Sequence, residues 1–254
     1  MDNITIGYLS WKRHNIFNQT LVSHSINGLH DIIKPENRYI YFQEITQKDI
    51  DIANKYNCKY LGNNNNIGIL NAFIELVNNC NTEYFIFSEN DWYLNENIEI
   101  TQKIINDCIK LFNNNLSDII RLRHCNNPGN PLYARPKNYN DWIKNNLKNF
   151  PYKLASLSWI EEEPNKVYNN LFTTFTNNFK WYITTLKHQK WSNNIFIAKT
   201  SFLKNTILPI IQNFKNNNNN YSGLEHILSH CNKINDIKIA GGEGLFTHQD
   251  FIIK

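Results

Sequence analysis

No stretch of about 18 apolar residues runs anywhere in the chain, which excludes a helix able to span a bilayer. Met1 to Ser10 lacks a basic start followed by an apolar run, so no secretory signal is expected. Lys and Arg total 26 against 22 Asp and Glu. They form no stripe or cluster of the kind a nucleic-acid footprint requires, so no nucleic-acid partner is expected. The five cysteines, Cys58, Cys80, Cys108, Cys125 and Cys231, are odd in number and contain no C-x-x-C pair. That spacing suits reduced thiols and disfavours a disulfide frame or a zinc ribbon. A P-loop, a Ser-His-Asp arrangement and a nucleophilic Cys-His pair are also missing. These absences lead us to expect a cytoplasmic protein without a transmembrane segment, at most peripheral to a membrane or an assembly site.

With 254 residues, 41% hydrophobic and 13% aromatic, the chain is long and apolar enough for one sizeable core, and the low 19% charged content argues against disorder. Nearly one residue in five is Asn. An A+T-rich codon bias explains this, so Asn18-Gln19-Thr20 is read as a chance sequon, and Asn63 to Asn66 and Asn216 to Asn220 as loop filler.

Strands and helices alternate over the first ninety residues. Asn3 to Trp11 reads as a first buried strand and Ile16 to Ile33 as a helix on it. Arg38 to Ile45 is a second strand, and Thr46 with Asp49 caps a short helix. Cys58 to Gly62 is a short strand, Ile69 to Val77 a helix and Tyr84 to Phe87 a strand. Asn97 to Asn113 is then predicted as a helix and Asp118 to His124 as a strand. This alternation predicts an α/β fold with a mixed, mostly parallel central sheet flanked by helices. Ligands of such sheets gather at the carboxyl ends of the strands, where Ser10 to Arg13 and Ser88 to Trp92 fall. Pro128, Gly129 and Pro131 are the strongest boundary signal. They divide a single domain, 1–254, softly near residue 126. Residues 1–125 form a nucleotide-facing half, and 126–254 shape the second substrate's site. Beyond residue 139 the aromatic-rich middle gives no clear period. Asn193 to Leu203 then reads as a strand leading into a helix, "GLEHILSHCNK" as a helix and "DIKIAG" as a strand.

"EYFIFSENDWYL", Glu83 to Leu94, delivers two carboxylates to that ligand edge behind an apolar strand. At a spacing of two, Glu89 and Asp91 can point into one cleft. Hard oxygen ligands of this kind suit Mg²⁺ or Mn²⁺, which keep open positions for substrate phosphates. Arg121 and Arg123 alternate on one predicted strand face, where a guanidinium holds diphosphate or acceptor oxygens, or packs at the core edge. Lys12 and Arg13 carry the same two readings. Trp92, Trp181 and Trp191 either stack on sugar rings or pack in the core. His226 and His230 could share one helix face, with Cys231 beside them, but no second ligand cluster and no Glu-before-His metalloprotease order accompanies them, so zinc is not expected.

"YLSWKR", "NNNNIGILNAFIELVNNCNTEYFIFSENDW" and the late "GLFTHQD" together resemble the GT-A nucleotide-sugar glycosyltransferases of the large family-2-like group. Asn66, Gly68 and Ala72 approximate that group's stretch before a helix. Glu89-Asn90-Asp91 occupies its Asp-x-Asp motif, with Glu replacing the first Asp. The resemblance implies transfer of a sugar from a nucleotide diphosphate, most simply a UDP-sugar, to an acceptor hydroxyl of a glycan, glycoprotein or lipid-linked molecule. It implies Mn²⁺ or Mg²⁺ held by Asp91, assisted by Glu89, with His248 either completing the metal shell or serving as an ordinary loop histidine. Ser10, Lys12, Arg13, Asn66, Gly68 and Asn90 would line the nucleotide-sugar site, with Glu44 or Asp49 as the acidic residue that meets the base. Arg121, Arg123, Trp92 and Trp191 would meet substrate. Glu225, opening a helix, is the candidate base of an inverting reaction, or a first-turn acid that complements the helix dipole. A non-catalytic carbohydrate-binding protein on the same scaffold is the alternative that the Glu89 replacement keeps open.

Overall fold

In the computed structural model, which describes residues 2–127, 129, 163–167, 170–189, 191–217 and 223–249, the β-branched and aromatic runs of the N-terminal half become parallel strands. They are β1 (Ile4–Trp11), β2 (Arg38–Gln43), β3 (Lys59–Asn63) and β4 (Tyr84–Glu89). Residues of these types fit a pleated, buried surface. Between them lie α1 (His14–Ile26), α2 (Leu29–Ile32), α3 (Gln47–Lys55) and α4 (Gly68–Asn79). Then come β5 (Trp92–Leu94), α5 (Ile98–Asn113) and β6 (Ile119–Arg121). The C-terminal half supplies β7 (Thr173–Thr176), β8 (Lys180–Thr185), β9 (Phe196–Lys199), β10 (Lys238–Gly241) and β11 (Phe246–His248).

Nine strands form one sheet in the order β3-β2-β1-β4-β9-β6-β10-β8-β7, and β11-β5 is a separate two-stranded ribbon. Only β9 and β8 run against the others in the large sheet. The architecture is therefore the mixed, mostly parallel sheet with flanking helices. Strands from both sides of residue 126 interleave, because β9 lies between β4 and β6.

The period of two along each strand sorts the core onto two faces. Ile4, Ile6, Tyr8, Tyr84 and Ile86 face one layer with Phe17 and Leu21 of α1 and Ile104, Cys108 and Leu111 of α5. Leu9, Phe85, Phe87 and Phe196 face the other, against Phe73 and Leu76 of α4 and Leu203 and Ile211 of the helical stretch after β9. Each such side chain, fully buried, contributes roughly 1.5–3 kcal/mol relative to exposure.

Local signals explain the ends of elements. The Asp49 carboxylate accepts hydrogen bonds from the backbone N–H (2.8 Å) and hydroxyl (2.6 Å) of Thr46, as the capping signal predicts. Asn97 caps α5 by accepting the Ile100 N–H at 3.0 Å. The single helix expected over Ile16 to Ile33 is broken instead, because Gly28 takes φ +83°, a turn that starts α2 afresh. The strand expected over Asp118 to His124 is shorter, ending at Arg121.

The β7–β8 hairpin, in the stretch without clear period, is tied to α5 through a buried carboxylate. Asp107 accepts from Asn177 Nδ2 (2.6 Å), Asn178 Nδ2 (2.8 Å), Phe179 N (2.9 Å) and Trp181 Nε1 (3.0 Å). Burial opposes its ionisation, but these donors outweigh burial and hold the carboxyl below its ordinary value. Pro128, Pro131 and Asn218 to Asn220 lie outside the described residues. Among the described residues, no helix is long and apolar enough to cross a membrane.

Candidate active site

Strand β4 ends at Glu89 and the chain turns through Asn90 and Asp91 into β5. Strand β5 pairs antiparallel with β11, with Trp92 opposite His248, and the Gln249 N–H donates to the Asp91 carbonyl at 2.9 Å. This ribbon joins two stretches far apart in sequence. It sets His248 Nε2 3.4 Å from Asp91 Oδ1. Arg13, at the start of α1, approaches the other carboxylate oxygen, with Nη1 donating to Oδ2 at 3.3 Å.

Asp91 is only 6% exposed, and its Oδ1 is buried with no hydrogen-bond partner. Such an atom costs free energy unless something positive meets it. Glu89, half-buried beside it, is pushed up to about 8 by burial, then by the negative charges of Asp91 and Glu225, with His248 and Arg13 pulling the other way. A carboxylate oxygen in want of a cation, an adjacent imidazole and a further acid that resists ionisation fit a divalent ion held by Asp91 and His248, with Glu89 close by.

The rim of the cleft lies at the ends of β1 and β2. Lys12 (φ 56°) and Glu44 (φ 51°) both adopt the left-handed region, which is uncommon away from glycine and clusters at functional sites. Their side chains form an ion pair, and Trp11 Nε1 donates to Glu44 Oε2 at 3.3 Å. Hydrogen bonds from Lys12 and then Trp11 hold the Glu44 carboxyl below its ordinary value. Trp11 is 49% exposed, a large apolar surface at the ligand edge that the sequence reading passed over. Asp49, the other acid considered after β2, is buried in its capping role and faces His14 Nε2 at 3.0 Å. Glu44 is thus the acid at the edge. Ser10, near the end of β1, is buried. Next to β3, Asn66 Oδ1 accepts the N–H of Gly68, whose φ of +79° requires glycine although a Cβ there would touch nothing. Asn90 is buried, with its carbonyl bound to Thr20.

Glu225 opens the helix Leu224–His230, is exposed, and accepts the Asn193 N–H at 2.6 Å. Its negative charge opposes the ionisation of Glu89 and favours the charged form of Arg121. Arg121 and Arg123 are buried. Arg121 Nη1 donates to Ser192 Oγ at 2.7 Å; Arg123 donates to Asn194 Oδ1 at 3.2 Å and to the Gly129 carbonyl at 3.3 Å. Burial pulls Arg121 down to about 9 and Arg123 to about 10. Both therefore brace the protein from beneath the cleft.

Two expectations are corrected. Trp92 is 2% exposed, with its ring between His248 (4.7 Å) and Arg123 (5.4 Å), and Trp191 is 3% exposed against Phe196 (5.3 Å). Neither presents a ring face to a sugar. Their packing against neighbouring rings and a cation satisfies the aromatic surface internally.

Among the described residues, the one set of three metal-competent side chains whose ligand atoms all lie within 4.8 Å of one another is His124, Cys125 and Glu243. The His124 ring is already spent. Its Nδ1 accepts the N–H groups of Asn126 and Asn127, both at 3.1 Å, and its Nε2 meets Glu96 at 3.0 Å. A neutral imidazole has one lone pair, so this group is a hydrogen-bonded tie between loops.

No known sequence family and no curated protein matches the chain. Solved structures do. The chain is similar to the crystal structure of residues 1–349 of S. aureus TarS, with TM-score 0.59 and 12% identity over 98% of this chain and 60% of that one. The same TarS fragment in complex with UDP gives the same values. In complex with UDP-GlcNAc, it aligns over 100% of this chain and 60% of that one, with TM-score 0.56 and 11% identity. The chain spans 60% of those TarS structures and 37% of a longer TarS structure. At these identities the likeness shows the fold, which is GT-A-like.

Proposed function

We propose that the protein is a glycosyltransferase that moves a sugar from a UDP-sugar to an acceptor hydroxyl on a glycan, a glycoprotein or a lipid-linked molecule, with Mn²⁺ or Mg²⁺ as cofactor. The observation that carries this reading is the pairing of Asp91 and His248 at 3.4 Å around a buried carboxylate oxygen that lacks a hydrogen bond. It lies at the carboxyl ends of the parallel strands, where α/β sheets bind ligands. The TarS structures with UDP and UDP-GlcNAc support the choice of donor.

Asp91 and His248 would hold the cation, with Glu89 assisting. The mixed oxygen and nitrogen donor set favours Mn²⁺ over Mg²⁺, because imidazole is the softer ligand. When bound, the ion offsets the negative charge that develops on the leaving diphosphate. Trp11 offers its exposed indole to the nucleobase while Glu44, steadied by Lys12, accepts from the base or ribose. Asn66 and the left-handed Gly68 shape the loop at the start of α4, so that backbone rather than side chain faces the nucleotide. Arg13 orients Asp91 and adds positive charge next to the phosphates.

Glu225 is the base in this reading. One of its oxygens receives the Asn193 N–H, and the other takes the proton from the acceptor hydroxyl as that oxygen attacks the anomeric carbon. Attack from the face opposite the leaving group inverts the configuration. The test is UDP release and sugar transfer from UDP-sugars with Mn²⁺ and with chelator, in the wild type and in Asp91→Asn. The reading predicts turnover only with metal and only in the wild type. Equal turnover in all four conditions would remove the metal role, and glycan binding without any turnover would identify a non-catalytic carbohydrate-binding protein.

A further inference from the structure

Helix α1 carries a polar stripe through the core. Thr20, Ser23, His24 and Asn27 recur at three- and four-residue spacing, which places them along one face, and Thr20 and His24 are fully buried. Buried polar groups cost free energy unless they are hydrogen-bonded. Every one of these four bonds to the backbone of the segment that carries the acidic motif. Thr20 Oγ1 donates to the Asn90 carbonyl at 2.9 Å, and His24 Nε2 bonds to the Trp92 carbonyl at 2.8 Å. Ser23 Oγ accepts the Leu94 N–H at 3.1 Å, and Asn27 Nδ2 donates to the Leu94 carbonyl at 2.7 Å.

The direction of these bonds follows from donor capacity. The Trp92 carbonyl can only accept, so His24 carries its proton on Nε2 and its Nδ1 is an acceptor. The Tyr8 hydroxyl, 2.8 Å from Nδ1, must then donate to it. Tyr8 oxygen accepts in turn from His30 Nε2 at 3.4 Å, and the Ser25 hydroxyl donates to His30 Nδ1 at 2.7 Å. A one-way chain from Ser25 through His30, Tyr8 and His24 therefore ends on the segment beside Asp91. Burial keeps both rings neutral, with His24 lowered to about 4 and His30 to about 3.

We infer that Thr20 and His24 are positioning residues for the cation site, acting through the backbone on either side of Asp91. Thr20 fixes the peptide that enters Asp91, the Gln249 N–H fixes the peptide that leaves it, and His24 fixes the carbonyl of Trp92, which packs on His248. With both peptides held, the Asp91 side chain keeps its direction toward His248. This inference rests on the reading of Asp91 as a cation ligand.

The test is the Mn²⁺ affinity of the intact chain in the presence of UDP, followed by the electron paramagnetic resonance of free Mn²⁺ well below the thermal midpoint of each variant. Thr20→Val keeps the shape and removes the donor; Thr20→Ser keeps the donor. Loss of a partner that orients a metal ligand costs roughly 10- to 100-fold in affinity. Thr20→Val is expected at the lower end of that range, with Thr20→Ser within about twofold of wild type. Should Thr20→Val fail to fold, His24→Phe against His24→Gln makes the same comparison, because Gln retains an N–H donor. A valine variant that melts lower but binds Mn²⁺ as tightly as wild type would overturn the inference, since the hydroxyl would then serve packing alone. Wild-type protein that binds no Mn²⁺ would overturn the reading of Asp91 and this inference with it, a result distinct from the first.

Discussion

Glu44 and Glu89 stand at comparable places, each at the carboxyl end of a parallel strand, and their surroundings drive them in opposite directions. At the rim, hydrogen bonds from Lys12 and Trp11 lower the Glu44 carboxyl, and the pair remains open to water. In the cleft, burial comes first and the charges of Asp91 and Glu225 follow, so that Glu89 rises to about 8. The rim has already neutralised its acid with a side chain of the protein, which suits recognition of polar edges. In the cleft the negative charges of Asp91 and Glu225 act on Glu89 against those of His248 and Arg13, and in the proposed reading a divalent ion would offset the excess.

The contrast is tested most severely by Asp91→Asn. It should weaken metal-dependent UDP binding by more than the roughly 10- to 100-fold that loss of an outer partner costs, measured by calorimetry with Mn²⁺. His248→Gln should come next, about tenfold weaker for Mn²⁺ in the same assay, because one ligand remains on the better-buried side of the site. Glu44→Gln should stay within about fivefold of wild type for UDP, as expected for an exposed ion pair. A loss as large as that of Asp91→Asn would erase the distinction between rim and cleft.

The smallest effect concerns acid. His24 and His30, beneath the cleft, refuse protons down to about 4 and 3, whereas the unfolded rings accept them near 6.5. At these two rings the unfolded chain binds more protons in that interval, so they lower stability as pH drops from about 6.5 toward 4, against the opposite and smaller contribution of Glu89, which is raised to about 8. Urea midpoints at pH 7 and pH 5 should show this decline in wild type. His24→Phe, which has one such ring fewer, should decline less. The Lys12–Glu44 rim should contribute little between pH 7 and pH 5, since its carboxyl is held below the ordinary value of 4.5 and its share of stability is lost only as pH falls past that value.

Much of the sheet was legible because its signals are local. The continuous apolar run Tyr84 to Phe87 gave β4, and Thr46 with Asp49, like Asn97, marked helix starts that the hydrogen bonds bear out. The meeting of "ENDW" with "GLFTH" followed from resemblance, and its cause, the three-residue ribbon β5–β11, is too short to carry a period. Insertion of β9 between β4 and β6 is a matter of long-range packing that no window of sequence contains. Trp92 and Trp191 misled because an indole beside a motif reads the same whether it faces solvent or core. The stripe Thr20, Ser23, His24 and Asn27 was visible as helical spacing, yet polar residues at that spacing ordinarily face water. Here the exposed-looking stripe turns inward, toward the backbone of Asn90 to Leu94.

The central claim, that Asp91 and His248 hold a divalent ion that in turn holds a nucleoside diphosphate, is tested most directly by titrating UDP into the chain with Mn²⁺ and with chelator, for wild type and Asp91→Asn. Saturable binding in wild type with Mn²⁺ alone is the predicted result. Binding of equal strength in chelator, or in Asp91→Asn with Mn²⁺, would contradict it.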